Sequence, residues 1–185
     1  MEPKNKLFLL DAYALIYRAY YALIKNPRVN SKGLNTSAAM GFVNTLEEVL
    51  NKYNPTHIGI AFDPAGPTFR HKSFEDYKAQ REATPEDIKL SVPIIKEIIK
   101  AYRIPIIEVE GFEADDVIGT LAKQANDAEI DTYMMTPDKD YAQLVDKHVC
   151  SAQNMATKSM KYLDPKRSKR NMNLQIKAKS LTYWA

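Results

Sequence analysis

The sequence predicts an α/β fold with a mostly parallel central sheet flanked by helices, because short apolar segments alternate with longer amphipathic ones. Helices between successive strands indicate right-handed crossover connections, which parallel strands require. The length of 185 residues fits one domain with a substantial core. The predicted strands cover residues 6–11, 57–63, 104–109 and 130–136.

The helical segments are recognised by apolar periodicity and by their ends. The second follows Asn35 or Thr36 as its N-cap and ends before Pro55. The third opens with Thr84-Pro85-Glu86-Asp87, a cap, a proline and two acids that suit a helix N-terminus. His148 is expected to begin a further strand. The predicted helices cover residues 14–24, 36–53, 84–103, 113–126 and 139–146.

The charge is unevenly distributed along the chain. The formal net charge is +3, but residues 1–148 hold 18 basic and 22 acidic side chains, whereas residues 149–185 hold 8 basic and 1 acidic. The basic excess therefore belongs to the last segment. The sequence holds one cysteine, Cys150, which excludes a disulfide framework and a cysteine-rich zinc site. We expect a cytoplasmic protein without a secretory signal, a membrane span or a membrane partner.

Carboxylates follow each predicted strand. Ligands of open parallel sheets bind beyond the carboxyl ends of the strands, so these acids are expected to meet at one edge. Their mutual repulsion calls for cations, and all-oxygen ligation suits Mg²⁺ or Mn²⁺, which support phosphodiester hydrolysis when paired. The candidate metal ligands are Asp11, Asp63, Glu113, Asp115, Asp116, Asp138 and Asp140.

Each acid also has a purely structural interpretation. Glu113, Asp115 and Asp116 begin a helix, where the helix dipole stabilises acidic side chains. Asp138 and Asp140 could be turn residues. Asp11 and Asp63 end apolar strands and are harder to explain as helix caps. The convergence of four strand ends favours the metal site.

The connection formed by residues 64–83 is long and basic, which is typical of a functional loop. Its cations interleave with aromatic side chains, a combination that suits single-stranded nucleic acid; alternatively, the aromatics pack against the sheet. Arg18 could also reach the substrate. The cations are Arg70, His71, Lys72, Lys78 and Arg81, and the aromatics are Phe69, Phe74 and Tyr77.

Residues 6–148 closely resemble the N-terminal 5′→3′ exonuclease domain of bacterial DNA polymerases I, within the flap endonuclease family. The matching motifs are LFLLDAYALIYRAYYAL, FDPAGPTFRHKSFEDYKAQREATPEDI, GFEADDVIGTLA and MTPDKDYAQLV. The resemblance implies a PIN-like, resolvase-type domain that removes 5′ flaps and RNA primers in replication and repair, using two divalent metals. It also implies a monomeric bacterial chain with a polymerase domain in cis in the parent protein.

Carried over motif by motif, the resemblance assigns roles to individual positions. Asp11, Asp63, Glu113, Asp115 and Asp116 would bind or support the first metal, and Asp138 and Asp140 would bridge towards the second. Residues 64–83 would begin a helical arch that admits a single-stranded 5′ end. Tyr77, Lys78 and Arg81 would meet the substrate near the scissile phosphate, with Arg18 below. The expected catalytic residues are Lys78, Arg81 and Asp115.

The tail of residues 149–185 departs from the family, whose glycine-rich helix–turn–helix and second-metal acids do not follow His148. We weigh a disordered basic arm against a shifted reading frame. If the codons of the tail are read in the frame that starts at each third base, they can encode a family-like continuation. In that frame the step from Met155 to Ala156 and the step from Trp184 to Ala185 each encode glycine. The gene's nucleotides decide between these alternatives.

Three functional hypotheses follow from the sequence. The first is a metal-dependent 5′ nuclease of the polymerase I type. The second is a catalytically impaired fragment that binds single-stranded or flap DNA. The third is a PIN-type ribonuclease.

Overall fold

Five strands form the central sheet of the computed structural model, which describes residues 5–74, 82–136 and 139–152. The order across the sheet is β3-β2-β1-β4-β5, and every neighbouring pair is parallel. The predicted parallel sheet is therefore confirmed. The strands are β1 Lys6–Asp11, β2 His57–Ala61, β3 Ile106–Ile107, β4 Asp131–Met135 and β5 Val149–Ala152.

Within the described ranges, five α-helices connect and cover these strands. A π-helical turn, Val49–Tyr53, extends the second helix, and a 3-10 helix, Lys139–Leu144, precedes β5. The α-helices are α1 Ala12–Ala22, α2 Ser37–Glu48, α3 Phe69–Ser73, α4 Glu86–Ala101 and α5 Ala114–Asp127.

The structure differs from the sequence prediction at several element ends and in the type of one helix, since residues 139–144 form a 3-10 helix. The helix predicted over residues 36–53 changes to π geometry at Val49, before Asn54 ends it at φ 45°. The third strand is only two residues long. The basic loop contains α3, which is too short to show an apolar period. The strand predicted to begin at His148 is β5, Val149–Ala152, which pairs in parallel with β4.

The sheet is buried on both faces, as parallel sheets require. Phe8 and Leu10 of β1 point to one face, where they pack with residues of α1, α2 and α4. Leu9 points to the other face and packs with α5. Alternation along one strand therefore fixes two helical layers around the sheet.

Gly41 permits the close approach of α1 and α2. A Cβ atom at this position would lie 2.6 Å from the Cβ of Ala19. Any larger residue would therefore force the two helices apart.

The parallel topology brings the carboxyl ends of the strands to one edge. Asp11 ends β1, Asp63 follows β2, and Thr136 follows β4. The loop after β3 leads through Gly111, at φ 82°, into α5. No helix within the described ranges is long and apolar enough to cross a membrane.

Candidate active site

Asp11 is the N-cap of α1 and accepts hydrogen bonds on both carboxylate oxygens. The Ala14 N–H donates to Oδ1 at 3.0 Å, while the Thr136 and Tyr141 hydroxyls approach Oδ2 at 3.4 and 3.5 Å. Burial raises the pKa of Asp11 to about 6, the bond from Ala14 opposes this rise, and repulsion from Asp63 and Asp115 adds to it. The charges of two other acids therefore act on Asp11.

Asp63 joins the end of β2 to the start of α5. Its Oδ1 accepts a hydrogen bond from the Ala114 N–H at 2.7 Å. Asp11 is thus a helix cap, unlike the expectation from the sequence, whereas Asp63 accepts from the first turn of α5, whose N-cap is Glu113. In both residues the helix N–H uses Oδ1, and a carboxylate has a second oxygen that can bind a metal ion.

The first turn of α5 carries the remaining described acids. Glu113 is buried and forms a reciprocal capping box with Asp116. Asp115 lies between them in sequence but leaves 49% of its side chain exposed. Burial and the neighbouring charge of Asp116 raise the pKa of Asp115, whereas the Arg70 guanidinium lowers it. Asp115 is therefore the acid of this turn that is most available to a ligand.

These acids face a cavity of about 940 Å³. Its wall includes Asp11, Asp63, Glu113 and Asp115, together with a row of tyrosines on α1. Tyr13, Tyr17 and Tyr21 are spaced four residues apart and so share one face of that helix. The cavity, which we call the acidic cleft, thus has carboxylates at one side and aromatic rings along another.

Arg70 and His71 lie on α3 beside the acidic cleft. Arg70 pairs with the acids of α5, its Nη1 and Nη2 each 2.6 Å from Asp116. His71 lines the cleft and accepts from the Thr68 N–H at 3.3 Å as part of a capping box. Arg70 and His71, which are both predicted to bind DNA, therefore lie near the acids.

The other residues predicted to contact DNA are placed differently. Arg18 donates to Thr45 of α2 at 3.4 Å, which directs its guanidinium to the helical layer. Burial lowers the pKa of Arg18. Of the loop aromatics that the structure describes, Phe69 and Phe74 are 42% and 68% exposed, so neither is buried against the sheet.

Several predicted site residues lie outside the described residues. These are Tyr77, Lys78, Arg81 and Asp138. The backbone of Asp140 belongs to the 3-10 helix, but its side chain is not among those described. The predicted second-metal acids and phosphate-binding cations thus stay predictions.

The donor set suits hard divalent cations. Among the described residues, no group of three histidine, cysteine, aspartate or glutamate side chains is arranged to hold a metal ion. The acids of the cleft nevertheless offer carboxylate oxygens, and the charges of Asp63 and Asp115 raise the pKa of Asp11. Carboxylate oxygens of this kind suit Mg²⁺ or Mn²⁺ better than zinc.

Thr136 and Tyr141 were not predicted as site residues. Thr136 directly follows β4, so the sequence places it at the same sheet edge as Asp11 and Asp63. Tyr141 belongs to the MTPDKDYAQLV motif and is buried against Asp11. Neither residue is acidic, so a search for carboxylates alone passes over both.

Solved structures of similar fold include nucleases. The structure of T5 5′-exonuclease with bound zinc superposes with a TM-score of 0.58 at 18% identity, covering 80% of this chain and 54% of that one. The catalytic core of Rad2 in complex with DNA superposes with a TM-score of 0.55 at 18% identity, covering 92% and 50%. At these identities the likeness concerns the fold.

Sequence relatives include bacterial DNA polymerases. DNA polymerase I of Bacillus caldotenax is 42% identical over 147 residues, covering 79% of this chain and 16% of the relative. The enzyme of Bacillus subtilis is 38% identical over 176 residues, covering 94% and 20%. The chain therefore spans a fifth or less of the length of these polymerases.

A shorter relative and a family model also match this chain. A 5′-3′ exonuclease of Aquifex aeolicus is 39% identical over 143 residues, covering 77% of this chain and 49% of the relative. The model of the 5′-3′ exonuclease N-terminal resolvase-like domain matches residues 6–173, which includes the first part of the basic tail. The chain thus belongs to the 5′-3′ exonuclease family through its N-terminal resolvase-like domain.

Proposed function

We propose that this chain is a divalent-metal-dependent 5′ nuclease that hydrolyses phosphodiesters at the 5′ ends of DNA. One observation carries the proposal: polar side chains from three strand ends and two helices meet around Asp11. Asp63 and Asp115 perturb its pKa, and the Thr136 and Tyr141 hydroxyls approach its Oδ2. Family membership supports the same activity.

The acids would hold Mg²⁺ or Mn²⁺. Asp11, Asp63 and Asp115 are the proposed ligands among the described residues, and Glu113 and Asp116 would support them. Asp138 and Asp140 are proposed to bridge towards a second ion. When bound, such a pair of ions supplies an activated water for in-line attack and stabilises the leaving oxygen. In the metal-free chain, Asp11 holds a proton over part of the acidic pH range instead.

The remaining groups of the site would bind and orient the substrate. Tyrosine rings along α1 offer flat surfaces on which unpaired bases stack. Tyr77, Lys78 and Arg81 are proposed to contact the scissile phosphate, where a cation stabilises the developing charge. Arg18, Arg70 and His71 complete the proposed DNA-binding set. The substrate is a duplex with a 5′ single-stranded flap or an RNA primer.

The parent protein is proposed to carry a polymerase domain in cis. Two of the relatives named above are DNA polymerases I of which this chain spans a small part. We propose that the tail after residue 148 is either a basic arm or a frame-shifted segment. Residues 153–185 of this tail lie outside the described ranges.

The nuclease proposal is tested with the full chain and a 5′-labelled flap duplex. Mg²⁺ is expected to support cleavage, and EDTA to abolish it. Asp115→Ala is expected to lower the rate at least 100-fold. Asp127→Ala is the matched control, because Asp127 is an exposed acid at the opposite end of the same helix, about 18 Å away along its axis.

The possible outcomes separate the three hypotheses. Equal products from the unmodified chain and Asp115→Ala would contradict the assignment of the site. Binding of the flap without cleavage would favour the impaired fragment. A preference for single-stranded RNA without a 5′ flap would favour the ribonuclease.

A further inference from the structure

Arg70 is inserted into the group of acids at the start of α5. Its guanidinium forms a two-pronged ion pair with Asp116, with both nitrogen–oxygen distances at 2.6 Å. The same Nη1 lies 3.3 Å from Glu113 and 3.8 Å from Asp115. One cation of the chain thus contacts three carboxylates that are candidates for holding a metal.

The short helix that carries Arg70 is itself anchored. The Phe69 N–H donates to the Gly111 carbonyl at 2.8 Å, which ties α3 to the loop before α5. A capping box between Thr68 and His71 fixes the first turn, and the Arg70 guanidinium lies 4.7 Å from the centre of the Phe69 ring. Arg70 is therefore held against the acids by backbone contacts as well as by charge.

The three acids differ in how completely their oxygens are used. Both oxygens of Asp116 accept from Arg70, and Oδ2 also accepts from the Glu113 N–H at 3.1 Å. Asp115 lies farther from Arg70, at 3.8 Å from its Nη1, and remains half exposed. Asp116 lines a separate cavity of about 380 Å³, whereas Asp115 lines both this cavity and the acidic cleft. Asp116 therefore anchors Arg70, whereas Asp115 also faces the acidic cleft and can bind a ligand there.

We propose that Arg70 is a positioning residue that competes with the divalent metal for Glu113 and Asp115 while keeping Asp116 out of the ligand set. A cation fixed to the chain occupies part of the place that a metal needs, so metal binding requires the guanidinium to shift. Arg70 thereby sets the metal affinity of the site. This inference rests on the proposed metal-dependent function.

Metal binding to the full chain tests the competition directly. Free Mn²⁺ is measured by electron paramagnetic resonance during titration of the unmodified chain, Arg70→Gln and Lys89→Gln. Removing a positive charge a few ångströms from a divalent ion is expected to tighten binding about tenfold in Arg70→Gln. Lys89→Gln is the matched control, because Lys89 lines the same cleft but pairs with Glu86. Its affinity is expected to stay within twofold of the unmodified chain.

A second measurement uses the unmodified chain and so does not depend on the folding of a variant. The Arg70 Nε–Hε resonance, assigned through its own side-chain carbons in the isotope-labelled unmodified chain, is followed by NMR as Mg²⁺ is added. The resonance is expected to shift as the ion pair with the acids loosens. An unchanged resonance at saturating Mg²⁺ would overturn the inference.

The titration distinguishes failure of this inference from failure of the proposed function. Equal or weaker Mn²⁺ binding by Arg70→Gln would overturn the role of Arg70, as would equal tightening in Lys89→Gln. An absence of saturable binding by both the unmodified chain and Arg70→Gln would contradict the metal-dependent function itself.

Discussion

Asp63 and Ala114 are 51 positions apart in the chain, yet the Ala114 N–H donates to Asp63 Oδ1 at 2.7 Å. This bond fixes the start of α5 against the end of β2. It places Glu113, Asp115 and Asp116 at the same sheet edge as Asp11. The position of the acids is therefore enforced by a hydrogen bond that one of the acids itself accepts.

Substitution of Asp63 separates its charge from its hydrogen bond. Asp63→Asn and Asp63→Ala both remove the negative charge, but only asparagine retains an oxygen that accepts from Ala114. We expect the metal-free Asp63→Ala chain to be less stable than Asp63→Asn by about 1 kcal/mol, the usual value of a helix cap. Urea denaturation in EDTA measures this difference, and equal stabilities would show that the bond contributes nothing.

The stability of the metal-free chain is expected to fall as the pH rises from about 4 to 6. The pKa of Asp11 is raised to about 6 in the folded chain from an ordinary value of 3.8, so within this window the folded chain binds more protons than the unfolded one. The free energy of unfolding therefore decreases with pH, by up to about 3 kcal/mol for this group. Urea denaturation at a series of pH values measures the slope.

Asp11→Asn is the control for this pH dependence. Asparagine caps helices about as well as aspartate, so the hydrogen bond from Ala14 is retained while the titration is removed. The difference between the two chains isolates Asp11 from Asp115, whose pKa is also raised. Parallel pH profiles for the two chains would refute the assignment of the shift to Asp11.

The contact between α1 and α2 makes Gly41 sensitive to substitution. An added Cβ would lie 2.6 Å from the Cβ of Ala19, and neither backbone can yield without separating the helices. We expect Gly41→Ala to lower the free energy of unfolding by about 1–3 kcal/mol. Gly66→Ala is the control, because its Cβ would meet no atom within 4 Å. Thermal unfolding compares them, and equal midpoints would contradict the close approach.

The core face of α4 distinguishes two adjacent isoleucines. Ile95 is fully buried among residues of α1 and α2, whereas Ile94 is 39% exposed. Truncation of Ile95 to alanine is expected to cost about 2–5 kcal/mol, because it leaves a cavity in packed surroundings. The same truncation of Ile94 is expected to cost less than half as much. Urea denaturation tests this order, and the reverse order would be inconsistent with the packing.

The sequence predicts the parallel sheet and its acidic edge because both depend on patterns local to each strand. An apolar run that ends in Asp11 identifies a strand and a site residue together. The hydrogen bond from Ala14 to Asp11 spans only three positions, so the capping role was within reach of the sequence. The bond from Ala114 to Asp63 was not, since only the assembled sheet brings these residues together.

The ion pairs of Arg70 could not be predicted from the sequence. The loop cations were predicted to face phosphate, and nothing in their spacing shows that one of them pairs with the acids of α5. The five-residue helix that presents Arg70 has no apolar period and buries none of its residues. Its position depends on a carbonyl of Gly111, which the turn at φ 82° directs towards Phe69.

The strand order β3-β2-β1-β4-β5 has a geometric consequence for access to the site. From β1 the chain winds outward through β2 to β3, then returns to the opposite side of β1 and winds outward again through β4 to β5. The connections on the two sides of β1 therefore leave the sheet in opposite directions. Their divergence opens a crevice at the carboxyl end of this central strand. Asp11 stands at that switch point, so the topology itself provides an entrance beside the acid on which the cluster converges.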